Sequence, residues 1–335
     1  MTSRRIDNPD ETALQNVEQR LAAGEPLVVQ FSERCYAPAR LASIEGLCAR
    51  FGELLHLRFY AHYRSRFDCR TLERIPSVAN LGVDSLLHAE NTDVLGELTH
   101  LRELRIGIFE LHDRDILRFP NLQSLRSLTL GHTRTRAIDM SFLAAFRGLE
   151  FLCVCGHTRG LTVIKGLAAL ETLALNSIGR QTDLGFLSDV GNLQRLTILL
   201  GGRSSIAGIH AGRLRALEVI RVQGLTELGD LSRFPSLTSF VVEDQSRVER
   251  LTFSSPDSGL ESLRIVNCKS LSEIVGLERL SRLQHLRIAL TALDPDALLA
   301  SPLPSGLKTV AIYTGKPREN RRIRAALDAR GYAES

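Results

Sequence analysis

Lysine is scarce in this chain of 335 residues: it stands only at Lys165, Lys269, Lys308 and Lys316 among 42 basic side chains. The remaining basic residues are arginines, and against 38 acidic residues they leave a net charge of +4. That excess is too small by itself to imply a nucleic-acid partner. Cysteine is thinly spread, at Cys35, Cys48, Cys69, Cys153, Cys155 and Cys268, without the spacing of a small disulfide-stapled secreted domain. Long apolar runs are missing too. No segment approaches the roughly 18 uninterrupted apolar residues of a membrane helix, and the first ten residues have no apolar run behind their arginines, so no secretory signal is expected. These absences predict a reducing cytoplasm and no membrane partner. A protein delivered without a cleaved signal would look the same.

Catalytic signatures are lacking as well. No glycine-rich phosphate loop, nucleophile elbow, zinc-protease helix or paired-cysteine ribbon occurs. After the last repeat described below only about 20 residues remain, too few for an appended catalytic domain. The expectation is a protein that is not an enzyme and has neither cofactor nor metal.

What the chain has in abundance is one recurring pattern. From Leu260, apolar residues at Leu263 and Ile265 spell L-x-x-L-x-L, and Leu271, Ile274, Leu277 and Leu280 follow at intervals of three. Apolar first positions recur at Leu54, Val78, Leu101, Leu125, Leu149, Leu170, Leu193, Leu217, Leu237, Leu260, Leu283 and Leu307, in steps of 20 to 24 residues. A fixed period of this size marks a solenoid, because one short strand and its return segment cannot bury their apolar face alone.

With Leu170-Glu-Thr-Leu-Ala-Leu-Asn176 and Leu260-Glu-Ser-Leu-Arg-Ile-Val-Asn267 as its best matches, the chain resembles the leucine-rich repeat family over residues 54–315. The short steps are similar to those of bacterial internalins and of phosphatase-regulatory subunits. The resemblance implies an α/β solenoid: a leucine-rich repeat horseshoe with a parallel concave sheet and short helical or irregular convex segments. Asparagines at the turns are confined almost entirely to Asn176 and Asn267, so most turns are expected to satisfy their backbone groups in other ways.

Residues 1–53 read as an N-terminal cap of helix, strand and helix. Asn8 is a candidate cap, Pro9 suits the first helical position, and Leu14, Val17 and Leu21 share a face. About twelve repeats fill 54–315, and a capping helix in 316–335 places Ile323 and Leu327 four apart. One continuous body is expected. In each repeat the fourth and sixth positions point inward, and the third, fifth and seventh point onto the open face.

Three outward clusters are candidate sites. Arg221, Arg264 and Arg287, placed at fifth positions, and Arg195 at a third position form an arginine ladder that favours an acidic protein partner. Glu243 and Asp244 interrupt that ladder and offer internal neutralisation instead. In the stretch from His56 to Arg66, the outward His56, Arg58 and Tyr60 are residue types that anchor protein interfaces. Stacking of single-stranded nucleic acid is the alternative there. Cys153, Cys155 and His157 with His132 could in principle meet a soft metal, but the repeated Gly-His-Thr-Arg at 131–134 and 156–159 is what duplication leaves at equivalent turns. The leading expectation is a non-catalytic module that binds a protein on its concave face, such as a bacterial toxin neutraliser or an enzyme-regulating subunit. A nucleic-acid binder and a delivered effector are the alternatives.

The register itself is testable. Leu263→Asp should unfold at least its neighbouring repeats, since a buried unpaired charge costs several kcal/mol. An unchanged melting curve would show that the strand faces have been assigned the wrong way round.

Overall fold

A stretch reading L-x-x-L-x-L buries its fourth and sixth residues together only on one face of an extended strand, because successive side chains alternate. The computed structural model describes residues 4–32, 36–62, 66–134, 137–255 and 258–334, and every repeat in it contributes such a strand. The chain falls into two compact units, Met1–Leu170 and Glu171–Ser335.

In the first unit seven strands lie parallel in chain order: Arg5–Asp7, Leu27–Ser32, Leu55–Tyr60, Asn80–Leu86, Glu103–Ile108, Ser127–Leu130 and Phe151–Cys155. The first two belong to the N-terminal segment. Between them the helix Glu11–Ala22 buries Leu14, Val17 and Leu21, and after them the helix Pro38–Phe51 buries Leu41, Ile44 and Leu47. The cap of the first helix is Asp10 rather than Asn8: its side chain accepts the Ala13 N–H at 2.8 Å. Asn8 instead holds the sheet edge, its amide donating to Ser32 Oγ and its carbonyl accepting the Ser32 N–H, both at 3.0 Å. The strand Arg5–Asp7 was not apparent in the sequence, since a single isoleucine between two charged residues sets up no apolar alternation.

Return segments are mostly 3-10 turns, among them Cys69–Arg74, Thr92–Glu97, Met140–Ala145 and Leu161–Gly166. Apolar residues spaced by three explain the choice, since side chains at i and i+3 eclipse in that geometry. Met140, Leu143, Phe146 and Leu149 are all fully buried on one side in this way.

The second unit also has seven parallel strands: Thr172–Asn176, Arg195–Leu199, Ala216–Ile220, Ser239–Glu243, Ser262–Val266, His285–Ala289 and Thr309–Tyr313. The helix Pro317–Asp328 closes it, burying Ile323 and Leu327 as its spacing predicted. One repeat is displaced from its expected register. Leu217 pairs with Phe240 and Val219 with Val242, so Leu217 is a fourth position and the repeat begins at the buried Leu214. Two apolar residues three apart, Leu214 and Leu217, offered two frames, and only pairing with the next strand distinguishes them.

Two further positions repeat without being obvious in sequence. The eighth residue leaves the strand in the left-handed region at Ala61, Ser85, Ser177, Leu200, Arg221, Asp244, Asn267 and Leu290, all with positive φ. In four repeats the ninth residue is a polar or thiol side chain that turns inward and is buried: His62, His157, Gln245 and Cys268. Gln245 Nε2 donates to the carbonyls of Glu243 (2.9 Å) and Val219 (3.2 Å). The Cys268 thiol reaches the equivalent pair, Val266 (3.5 Å) and Val242 (3.8 Å). His62 Nδ1 donates to the Tyr60 carbonyl at 2.8 Å. Histidine, glutamine and cysteine thus satisfy the carbonyls for which asparagine had been sought at other positions.

Left-handed backbone costs a branched L-residue about 1–2 kcal/mol, whereas asparagine tolerates it better. Leu290 has φ 55 and is 42% exposed. Leu290→Asn should therefore leave stability unchanged or raise it by up to about 1 kcal/mol, read from urea unfolding midpoints. A loss larger than that would mean the leucine packs in a way its exposure does not suggest.

Candidate functional site

The open face of the first unit is organised by Arg58. Its neighbours in register are Gln30 on one side and Gly82 on the other, and the missing side chain at Gly82 leaves the guanidinium room, since a Cβ there would stand 3.1 Å from Arg58 Cγ. Arg58 Nε donates to both Asp84 carboxylate oxygens, at 2.8 and 3.0 Å, and Nη1 donates to Gln30 Oε1 at 3.2 Å. Its guanidinium lies 4.7 Å from the centre of the Tyr60 ring. Tyr60 in turn donates to Asp7 Oδ1 at 2.7 Å, where Gln30 Nε2 also donates at 2.5 Å. These bonds, Tyr60 first, hold the Asp7 carboxyl below its ordinary range. His56 stands 3.8 Å from Glu103 but is pushed down by burial more than the carboxylate raises it. All three predicted residues therefore lie on the open face, half-buried; Arg58 and Tyr60 are joined through Gln30 and Asp7, and His56 stands beside them against Glu103. Tyr63, Arg64, Ser65 and Cys35 lie outside the described residues.

Next to this network is a depression of about 560 Å³ that sequence reasoning missed. It exists because two consecutive seventh positions are glycine. A Cβ on Gly107 would stand 2.9 Å from Asp84 Cβ, and one on Gly131 would stand 2.9 Å from Gly107 Cα. Phe109, 39% exposed, rims it with His132, whose ring centre is 6.2 Å away. Arg134 reaches over the phenyl ring and pairs with Glu110 at 2.5 Å. The signal was present in the sequence as glycine at the same position of adjacent repeats, though only stacking makes two such gaps one hollow.

In the second unit the arginine ladder is broken up. Arg264 and Arg287 are direct cross-strand neighbours, but the same row continues as Val241, Glu218 and Thr197. Arg264 pairs with Glu243 at 3.3 Å, and Arg287 lies over the Tyr313 ring at 5.5 Å. Arg195 is exposed at the opposite edge of its strand. Arg221 is not at a fifth position. It is the eighth residue of the repeat that begins at Leu214, beyond the strand end, and pairs with Asp244 at 2.6 Å. Asp244 also accepts from Asn267 at 2.5 Å, and these two bonds, Asn267 first, lower its pKa. Glu243 and Asp244 thus neutralise Arg264 and Arg221 from within the chain.

No family model matches the sequence, and no curated protein does. Solved structures match at the level of fold. An internalin from Listeria monocytogenes is similar with 19% identity over 96% of this chain and 92% of its own, with a TM-score of 0.58. The chain has the leucine-rich repeat fold. TLR13 in its complex with ssRNA13 is 15% identical over 86% of this chain and 54% of its own, with a TM-score of 0.50. A leucine-rich repeat protein of Leptospira interrogans is 13% identical over 93% and 89%, with a TM-score of 0.47.

In this leucine-rich repeat chain the cysteine–histidine cluster is split, with the cysteines on the open face and His157 turned inward. Cys153 and Cys155 are half-buried free thiols on the open face. The Cys155 thiol is pushed up first by its hydrogen bond to Cys153 and then by burial. His157 points the other way: its Nδ1 accepts the Ile138 N–H at 3.1 Å and its Nε2 donates to the Gly131 carbonyl at 2.8 Å. Both ring nitrogens are occupied by backbone, which leaves none for a metal. Among the described residues no group of three or more His, Cys, Asp or Glu side chains is placed to hold a metal ion. No helix among them is long and apolar enough to cross a membrane.

Burial holds His157 below its ordinary pKa of 6.5, so the unfolded chain takes up this proton more readily than the folded one. Its contribution to stability is complete above pH ~6.5 and is lost as pH falls through the lower folded value. His157→Gln keeps a donor and an acceptor but does not titrate. Urea midpoints measured from pH 8 to 5 should show wild type losing ground to the variant only on the acid side. Parallel curves would refute the neutral, buried assignment.

Proposed function

We propose that this chain is a non-catalytic interaction module whose open sheet face binds a protein partner. The observation that carries this reading is the hollow between Gly107 and Gly131, rimmed by Phe109 and His132 beside the Arg58–Asp84 pair. A pocket of about 560 Å³ with an aromatic rim and a charged border is the form taken by the energetic centre of many protein interfaces, where one partner side chain is buried and the surrounding polar groups exclude water. Its polar neighbours are already joined to one another, so little ordering is required on association.

His56, Arg58 and Tyr60 belong to the border of that hollow in this proposal. Arg195, Arg221, Glu243, Asp244, Arg264 and Arg287 form a second, polar patch in the second unit. Because Glu243 and Asp244 neutralise two of the arginines, that patch selects by charge pattern more than by net positive charge. The finer assignment is a bacterial, cytoplasmic toxin neutraliser or enzyme-regulating subunit. The neighbouring reduced thiols of Cys153 and Cys155 suit a reducing compartment.

Affinity capture from source-cell lysate, read by mass spectrometry, tests this. Phe109→Ala should lower recovery of one protein by tenfold or more while leaving the melting temperature nearly unchanged, because the ring is exposed. Arg264→Glu/Arg287→Glu should lower it by a smaller factor. Recovery unaffected by Phe109→Ala would remove the hollow from the interface, and recovery of nucleic acid in place of protein would overturn the reading.

A further inference from the structure

In the second unit the four strands from Thr172–Asn176 to Ser239–Glu243 end in left-handed residues at Ser177, Leu200, Arg221 and Asp244. The chain leaving them encloses a cleft of about 1320 Å³. Arg203 is set in its wall by the bridge between Gly202 and Gln223 and by its own N–H, which donates to the Gln223 carbonyl at 3.1 Å.

Arg203 is only 8% exposed, and its Nη2 is fully buried without a hydrogen-bond partner. Its side chain makes no ion pair among the described residues. Asp183 acts on it only through its charge, from beyond ion-pair distance. The contrast with Arg233 is instructive. That side chain is half-buried, and it donates to the carbonyls of Asp230 (2.7 Å), Ile209 (2.8 Å) and Ile206 (3.2 Å). Arg233 is a structural cation held by three backbone carbonyls. Arg203 is a desolvated cation with a buried, unpartnered Nη2, a state that is costly until an acceptor reaches it.

The rest of the lining suits an anionic acceptor. Arg180 and Arg247 line the same cleft and make no ion pair among the described residues, whereas Arg221 is held by Asp244. Four arginines face one carboxylate, which is more than a single negative charge would balance. A phosphate monoester carries close to two charges at neutral pH and offers three acceptor oxygens, matching arginine's several donors. The cleft also exceeds a lone phosphate ion, and Leu200, 36% exposed, offers apolar surface within it.

We propose that this cleft binds a phosphorylated small molecule, with the phosphate seated on Arg203. The site is separate from the hollow of the first unit and does not depend on the protein-binding reading.

The test is thermal shift and calorimetry on the full chain with inorganic pyrophosphate, with citrate as a polycarboxylate control and a short single-stranded oligonucleotide as a phosphodiester control, all at one ionic strength. Pyrophosphate should raise the melting temperature of wild type, as any ligand of the folded state does. Arg203→Met should fold and bind pyrophosphate at least tenfold more weakly, and Arg180→Gln/Arg247→Gln should weaken it by a lesser factor. No shift with pyrophosphate, an equal shift in Arg203→Met, or citrate or oligonucleotide binding as tightly as pyrophosphate would each overturn the proposal. Should Arg203→Met not fold, the Arg180→Gln/Arg247→Gln pair decides alone, since both residues are exposed: weakened binding supports the site, and unchanged binding overturns it.

Discussion

A strand of five residues with two inward leucines has nothing within its own repeat to bury them against, and everything else in this molecule answers that constraint. Each fully buried leucine gains about 1.5–3 kcal/mol over an exposed one, but only when the next repeat supplies the opposite wall. Leu263 and Ile265 are covered because Phe240 and Val242 lie beside them on one side and Leu286 and Ile288 on the other. The residues that close each unit, such as Ile323 and Leu327, do for a terminal repeat what a neighbour does for an internal one.

The same stacking creates a polar problem at the end of every strand, where the chain must turn and its carbonyls lose their ladder. In most repeats the eighth residue turns by taking a left-handed conformation, and in four the ninth returns a donor to the carbonyls left behind. Gln245, Cys268, His62 and His157 show that the chemistry required is a donor of suitable reach, not one residue type. Buried polar groups that find partners help to specify one arrangement of a core, and each of these side chains reaches at least one backbone carbonyl.

Function falls to what the constraint leaves free. The outward positions carry no burial requirement, so glycine at Gly107 and Gly131 can open a hollow and charged residues can line the rows. Where outward charges are many, most find partners within the chain, as Arg58 does with Asp84 and Arg221 with Asp244. The informative exceptions are groups the fold does not complete: the exposed ring of Phe109 and the buried guanidinium of Arg203.

The sequence by itself determined the repeat, its period, the inward fourth and sixth positions and the closing helix, because apolar spacing is a local property that burial translates directly into structure. It also placed His56, Arg58 and Tyr60 on the open face by alternation alone. Tertiary structure decided the rest. The frame at Leu214 and Leu217 was ambiguous until the adjacent strand chose it, and Arg221 moved from a strand face to a strand end as a result. The ladder of ninth-position donors was hidden because histidine, glutamine and cysteine share a role only when their carbonyl partners, as many as 26 residues earlier, are stacked beneath them. Which arginines are neutralised and which are left open depends on distances between neighbouring repeats, and no spacing along one strand encodes those.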